Sequence, residues 1–324
     1  MTKPVIVIVE PIYLKAPAIF DEIDFASLQI VPAGEEALAD AVRRSGAVAA
    51  VLGVDPYRDA LYRSMSPGGL LARFGVGYDG IDLKKARDSK LLVTNTPGVL
   101  ETTVAESTVF LAAEVLRGMG EADRSLKAGR WHPTLGEDLG GKTWCIIGLG
   151  AIGSALARML SRGFGVRVYG VKTDLSGVGA LRERSGACRI TDRLEEVAAT
   201  ADIISLHLPA TAATRHFMDA TRLALLKPGA VLINTGRGSL VDTEALYDAL
   251  ASGKLGGAAL DVFEREPYEP ADPAKDLRRL SNVVLTPHIS SSTRQCAARI
   301  ARRVTGNIRF MLQGDHARMD LVQR

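Results

Sequence analysis

Short apolar runs alternate with amphipathic stretches along most of the chain. Val5–Val9 is continuously apolar and too short for a helix, which is the pattern of a strand buried on both faces of a parallel sheet. Leu28–Val31, Ala47–Leu52, Leu71–Phe74 and Leu91–Thr94 are further strand candidates, largely apolar. Between them, Glu35–Arg44 and Leu83–Asp88 carry helical spacing. Strand and helix taking turns predict a parallel sheet with crossover helices. Asn95-Thr96-Pro97-Gly98 closes this first unit with turn residues.

A long helical pattern follows over Thr103–Leu126, with Val109, Phe110, Ala113 and Leu116 expected as the face that packs on a core or on another subunit. The apolar run Trp144–Ile147 then begins a second α/β unit. Further strands are expected at Val166–Val171, Ile203–His207, Val231–Asn234, Gly257–Asp261 and Asn282–Thr286, with a last helix over about Ser292–Leu312 that returns to the first domain. No internal repeat and no low-complexity segment interrupts this order.

The length, 324 residues, suggests two domains, because single cores rarely grow past ~250–300 residues. A formal charge of +3 gives no case for nucleic acid or an anionic membrane surface. Three scattered cysteines form no CxxC pair, so neither a zinc site nor a disulfide framework is indicated, and a reducing cytoplasm is expected. No targeting segment and no run approaching the ~20 apolar residues of a membrane span is visible.

The chemistry begins at Gly148-Leu149-Gly150-Ala151-Ile152-Gly153, which follows an apolar strand and opens the helical stretch Ser154–Arg162. In a dinucleotide turn the first glycine allows the tight bend, the second lets the backbone approach a pyrophosphate, and the third lets helix and strand pack closely; Ala151 and Ile152 lie at the helix N-terminus that attracts the phosphates. The acid that usually receives the ribose hydroxyls stands ~20 residues further on. Here that place holds Lys172, followed by Thr173 and Asp174. An ammonium accepts no hydrogen bond from a ribose diol but pairs with a 2′-phosphate, so the turn favours NADP(H), with a hydroxyl contact from Thr173. Two other readings stay open: Asp174 as the ribose acid, which would allow NAD(H), and Lys172 as a solvated strand end.

Downstream come Arg237 between two glycines, Glu266 before Pro267, and His288 after Pro287. A guanidinium fork suits a 2-keto acid, because it can hold the carboxylate and polarise the adjacent carbonyl together. A histidine near neutral pKa can donate a proton to the developing alkoxide, and a carboxylate on its other nitrogen would orient the ring. Alone, each has a plainer role as turn, loop or core residue; together with the glycine turn they form a kit for hydride transfer. His207, before Leu208-Pro209, reads as structural or cofactor-lining rather than catalytic.

These segments, with Arg73–Asp82, Asn95–Gly98 through Val104-Ala105-Glu106, Leu206–Pro209, Asn234–Asp242 and Ala259–Pro267, resemble the D-isomer-specific 2-hydroxyacid dehydrogenases, most like the glyoxylate/hydroxypyruvate reductases. The resemblance covers nearly the whole chain. It implies two Rossmann-like or flavodoxin-like domains of the α/β class with parallel sheets and an active-site cleft between them. Residues 1–100 with 289–324 would form the substrate-binding domain, and 101–288 the dinucleotide-binding domain. It implies catalytic roles for Arg237, Glu266 and His288, and substrate carboxylate binding by the backbone amides of Val76 and Gly77 together with Arg237. Cofactor contacts would come from Val104, Thr108, His207, Pro209, Thr235 and Asp261 besides the glycine turn, Lys172 and Thr173. No metal is implied, and the expected partner is a second copy in a homodimer.

The chain departs from the family pattern at Lys172, at Gly80 where Asn is common, at Ser290-Ser291 after His288, and at Trp144, where a small residue is usual. Tyr57 or Arg58, on the loop after a first-domain strand, is a candidate for the distal end of the substrate; an inward Arg58 would suit a larger or phosphorylated acid. A nucleotide-sensing corepressor with the same fold and trio is the rival from another class, and such proteins carry extra unstructured tails that this chain lacks.

Overall fold

The computed structural model describes residues 3–322. Contact density divides the chain into two units, Met1–Leu100 with Ser292–Arg324, and Glu101–Ser291.

The first unit holds β1 (Val5–Val9), β2 (Ser27–Val31), β3 (Ala49–Leu52), β4 (Leu70–Arg73) and β5 (Leu92–Thr94), paired in parallel in the order β2-β1-β3-β4-β5. This is the flavodoxin-like doubly wound order. The helix Glu35–Ser45 ends on Gly46 at φ +64, a left-handed cap that a side chain would strain. The helix Arg294–Leu312 packs on β4 of this unit and starts from a Thr293 cap whose hydroxyl accepts from the Cys296 amide.

Two loops of this unit settle sequence questions. Tyr57 does not face outward to a substrate: it is 3% exposed, its hydroxyl accepts from the Gly53 amide, and its own amide donates to the Gly80 carbonyl. Gly80 is required there, since a Cβ would stand 2.4 Å from the Asp55 carbonyl oxygen. Arg58 is exposed, with its backbone amide held by the Glu35 carboxylate. After β4, the carbonyls of Phe74 and Gly77 accept from the Arg73 guanidinium, that of Val76 from the Asn95 side-chain Nδ2, and that of Gly75 from Thr96 N. The loop carrying Val76 and Gly77 is thus gripped by its oxygens.

The second unit holds β6 (Thr143–Ile147), β7 (Arg167–Val171), β8 (Arg189–Thr191), β9 (Ile203–Leu206), β10 (Ala230–Asn234), β11 (Leu255–Leu260) and β12 (Val283–Leu285), all parallel in the order β12-β11-β10-β9-β6-β7-β8. The order reverses between β6 and β9, as in dinucleotide-binding sheets. Alternate residues serve two cores. Trp144, Ile146, Ile203, Val231 and Ile233 pack on one face, and Cys145, Ile147, Ile204, Leu206 and Leu232 on the other. That two-sided burial is why the strands read as unbroken apolar runs.

The expected helix over Thr103–Leu126 is two helices, Glu101–Arg117 and Met119–Lys127, parted at Gly118 with φ +59. Its buried stripe is Ala105, Thr108, Val109 and Ala112, at helical spacing, while Phe110 is 68% exposed and Ala113 and Leu116 are half-buried. Of the expected face, Val109 and Leu116 thus pack on the core and Phe110 does not. Strand β8 was not foreseen; three residues with one apolar side chain are too short to show a period. No helix among the described residues is long and apolar enough to cross a membrane.

Candidate active site

Parallel strands bring their C-terminal ends to one edge. In sheet order, that edge of the second unit presents the Thr286–His288 turn after β12, Asp261 and the Glu266 loop after β11, Thr235 and Arg237 after β10, His207 after β9, the glycine turn after β6, and Lys172 after β7. Five strand spacings of ~4.8 Å make this row about 24 Å long. Ligands of open α/β sheets bind along such an edge, at the switch point.

The glycine turn has the space a dinucleotide needs. Gly148, at φ +98, would place a Cβ 2.5 Å from the His207 carbonyl oxygen, and Gly153 one 2.1 Å from the Gly148 carbonyl oxygen. Both are forced by close packing. A Cβ on Gly150 would meet nothing within 4 Å, so the backbone there faces open space. The helix Ala151–Gly163 begins on it with no side-chain cap, leaving its first amides to an outside acceptor. The residues present fit a pyrophosphate.

The catalytic candidates meet at the other end. His288 Nδ1 lies 2.8 Å from Glu266 Oε2, and the other carboxylate oxygen accepts from the Phe263 amide at 3.0 Å. Burial pulls the Glu266 carboxyl upward, but the bonds from His288 and Phe263 and the charges of His288 and Arg237 outweigh it and hold it below the ordinary carboxylate range. About a third of each side chain remains exposed, 35% for His288 and 31% for Glu266.

His288 adopts φ +54, a left-handed conformation costing a non-glycine residue about 1–3 kcal/mol. Its surroundings impose it. Its amide donates to the Asp261 and Thr286 carbonyls, and the buried Asp261 carboxylate accepts from Thr286 Oγ1 (2.6 Å), Ile289 N (2.8 Å) and Ser290 N (2.8 Å). Ser290, one of the departures from the family pattern, also meets Ser107 hydroxyl to hydroxyl at 3.1 Å.

The Arg237 turn is built by Asn234, whose side chain accepts from Gly236 N and donates to the Arg237 carbonyl. Gly238 lets the two loops touch, since a Cβ there would sit 1.9 Å from the Phe263 carbonyl carbon. The guanidinium donates to the Gly236 carbonyl. Thr235 bonds Thr108 through hydroxyls 3.0 Å apart, and Thr108 donates to the Val104 carbonyl. Three residues expected at the cofactor are thus tied together. Pro209 is exposed on the loop beyond His207.

At the far end Lys172 Nζ donates to the Asp174 carbonyl at 2.6 Å, and Thr173 is exposed. The Asp174 carboxylate accepts from the amide and hydroxyl of Ser176; those bonds first, and the Lys172 charge second, hold it below its ordinary range.

Sequence reasoning missed two features. One is the pair His216 Nε2–Glu264 Oε1, 2.8 Å apart, which with Arg215 braces the loop leading to Glu266. The other is Trp144, whose indole N–H donates to Ser205 Oγ at 2.9 Å, while the same oxygen lies 3.0 Å from His207 Nε2. The only sequence signal for the second was Trp144 standing where a small residue is usual.

Residues 109–290 match the family model for the NAD-binding domain of D-isomer specific 2-hydroxyacid dehydrogenases. A glyoxylate reductase of Korarchaeum cryptofilum is 37% identical over 88% of this chain and 85% of its own. Among solved structures, a glyoxylate reductase from Paecilomyes thermophila superposes with TM-score 0.83 at 29% identity, covering 99% of both chains. An NADPH-dependent glyoxylate/hydroxypyruvate reductase from Sinorhizobium meliloti, in complex with NADP and malonate, does so with TM-score 0.80 at 30% identity, over 96% of this chain and 94% of its own.

Proposed function

The chain belongs to the D-isomer specific 2-hydroxyacid dehydrogenases, and from that premise we propose that it reduces small 2-keto acids, glyoxylate and hydroxypyruvate first among them, to D-2-hydroxy acids. The observation that carries this reading is the His288–Glu266 pair, 2.8 Å apart, on the same sheet edge as the glycine turn.

A bound dihydronicotinamide supplies the hydride. Arg237 holds the substrate carboxylate and polarises the carbonyl. With Nδ1 bonded to Glu266, His288 has Nε2 left to give a proton to the developing alkoxide, and takes it back in the oxidative direction. Glu266 stabilises the charged ring and fixes its plane. Val76 and Gly77 offer their amides to the substrate carboxylate from the loop whose carbonyls are already held. Asp261 fixes the turn after His288; with three donors bound, it has about one of its four lone-pair sites left for a nicotinamide carboxamide.

NADP(H) is the preferred cofactor in this reading. Lys172 is the side chain at the end of β7, and the Asp174 carboxylate is committed to its own turn with Ser176. A second copy is the proposed partner. Phe110, Leu126, Trp131 and Leu135 are exposed within one stretch, and Ser125 alone is buried in the helix Met119–Lys127. An amphipathic helix with no covered apolar face calls for a partner surface. The three cysteines, none of them in a disulfide, suit a reducing cytoplasm.

The test is NADPH and NADH oxidation by the purified protein against a panel of 2-keto acids beginning with glyoxylate and hydroxypyruvate. Turnover is expected, faster with NADPH. Tight cofactor binding without turnover on any member would overturn the enzyme reading in favour of a sensor.

A further inference from the structure

Trp144, Ser205 and His207 form a chain of polar contacts inside the second unit. Trp144 is fully buried on β6, Ser205 is fully buried on β9, and His207 follows two residues later on the same face. Indole N–H is a donor only, so at 2.9 Å it must use a lone pair of Ser205 Oγ. The serine proton then has one neighbouring acceptor among its contacts, His207 Nε2 at 3.0 Å. If His207 instead donated to Ser205, the buried hydroxyl proton would have no acceptor, at a cost of about 1–3 kcal/mol.

His207 Nδ1 is itself buried without a partner. Burial lowers the ring pKa to about 4, so the ring is neutral at physiological pH and carries one proton. The backbone of His207 lies against the glycine turn, with its amide on the Ile147 carbonyl and its carbonyl oxygen against Gly148.

We propose that Trp144, acting through Ser205, fixes His207 as the Nδ1–H tautomer, so that a neutral ring presents a donor to an acceptor oxygen of the bound nicotinamide dinucleotide. The proposal rests on the cofactor reading given above. Trp144 and Ser205 are positioning residues, and neither touches the reacting atoms. The chain also gives a role to a tryptophan that the sequence left without one.

The experiment is ¹⁵N NMR of the histidine rings in protein labelled at histidine, without and with NADPH, alongside the NADPH Kd. Wild type should show the protonated-nitrogen signal on Nδ1 of His207 and the bare-nitrogen signal on Nε2, and NADPH should shift the Nδ1 signal. Trp144→Phe frees the serine lone pair and should move His207 toward the Nε2–H form, with NADPH Kd rising about tenfold. The ¹⁵N signals of His288 should stay as in wild type. Ser205→Ala, a smaller change in the core, should act in the same direction and guards against a folding defect in the first variant. Unchanged His207 signals in both variants, or changed signals with an unchanged Kd, would overturn the proposal, as would an Nδ1 signal that ignores NADPH. A wild type that binds neither NADPH nor NADH would instead overturn the cofactor reading, with the tautomer of the free protein still decided.

Discussion

His288 and His207 follow two strands of the same sheet, yet their surroundings drive them to opposite uses. His288 is about one-third exposed and bonded to a carboxylate, so a charge on its ring is both hydrated and paired. His207 meets a serine hydroxyl, with Nδ1 buried and without a partner and its pKa lowered to about 4 by burial. One ring is set up to gain and lose a proton, the other to keep a single proton on a fixed atom. Residue type told nothing of this difference; the partner and the access of water decide it.

The sharpest way to break the contrast is to remove each ring in turn. His288→Ala should lower kcat by about 10²–10⁴-fold, the loss typical of a general acid or base, and leave the NADPH Kd near wild type. His207→Ala should do the reverse, weakening NADPH binding more than kcat. Steady-state kinetics with cofactor titration reads both. Near-normal turnover in His288→Ala would remove the catalytic assignment.

The partner comes next. Glu266→Gln keeps the shape but gives up the charge, and should cost about 10–10²-fold in kcat, as second-layer partners commonly do. The Glu266 carboxyl is held below its ordinary range, so its contribution to stability is present above the unfolded pKa and lost as pH falls through the folded one. A wild-type rate unchanged by Glu266→Gln would reduce the carboxylate to a loop residue.

A smaller effect is expected at the far end of the row. Lys172→Asp should shift the NADPH:NADH ratio of kcat/KM toward NADH by about tenfold or more, at about 1.4 kcal/mol per factor of ten. An unmoved ratio would return the ribose role to Asp174.

Much of this was legible in the chain because the signals were local. The glycine turn names itself by three positions within six residues, and strands buried on both faces read as apolar runs. The trio was visible through its setting: Gly238 is small because Phe263 lies against it, and Asp261 accepts from the amides that follow His288. What stayed hidden was long-range or rotational. Trp144 and Ser205 meet across neighbouring strands, 61 positions apart in sequence. The pattern alone cannot divide the apolar face of that helix between a core and another subunit, because apolar residues crowd it on every side; the core takes Ala105, Thr108, Val109 and Ala112 and leaves Phe110 exposed. The break at Gly118 was written in the sequence, but an isolated glycine inside a helical pattern is often tolerated, so only its left-handed backbone distinguishes the two cases.

The finest test of the two-histidine contrast is stability against pH. Burying a histidine ring favours its neutral form and therefore costs stability at low pH. The folded pKa of His207 is about 4 against an ordinary 6.5, so between those values the unfolded chain binds a proton that the folded one refuses. Stability should therefore fall as pH drops through this window, and level off below it as far as this group is concerned. Glu266 sheds its contribution in a lower window, so the two overlap little. Comparing wild type with His207→Asn by denaturant unfolding at pH values spanning about 6.5 to 4 isolates the term, because every other titrating group is shared. The wild type should lose about 1–2 kcal/mol more than the variant across that range, less than the full shift would give because the ring edge is partly accessible. Parallel curves would mean that His207 protonates freely in the folded protein, and the contrast between the two rings would then rest on hydrogen bonding alone.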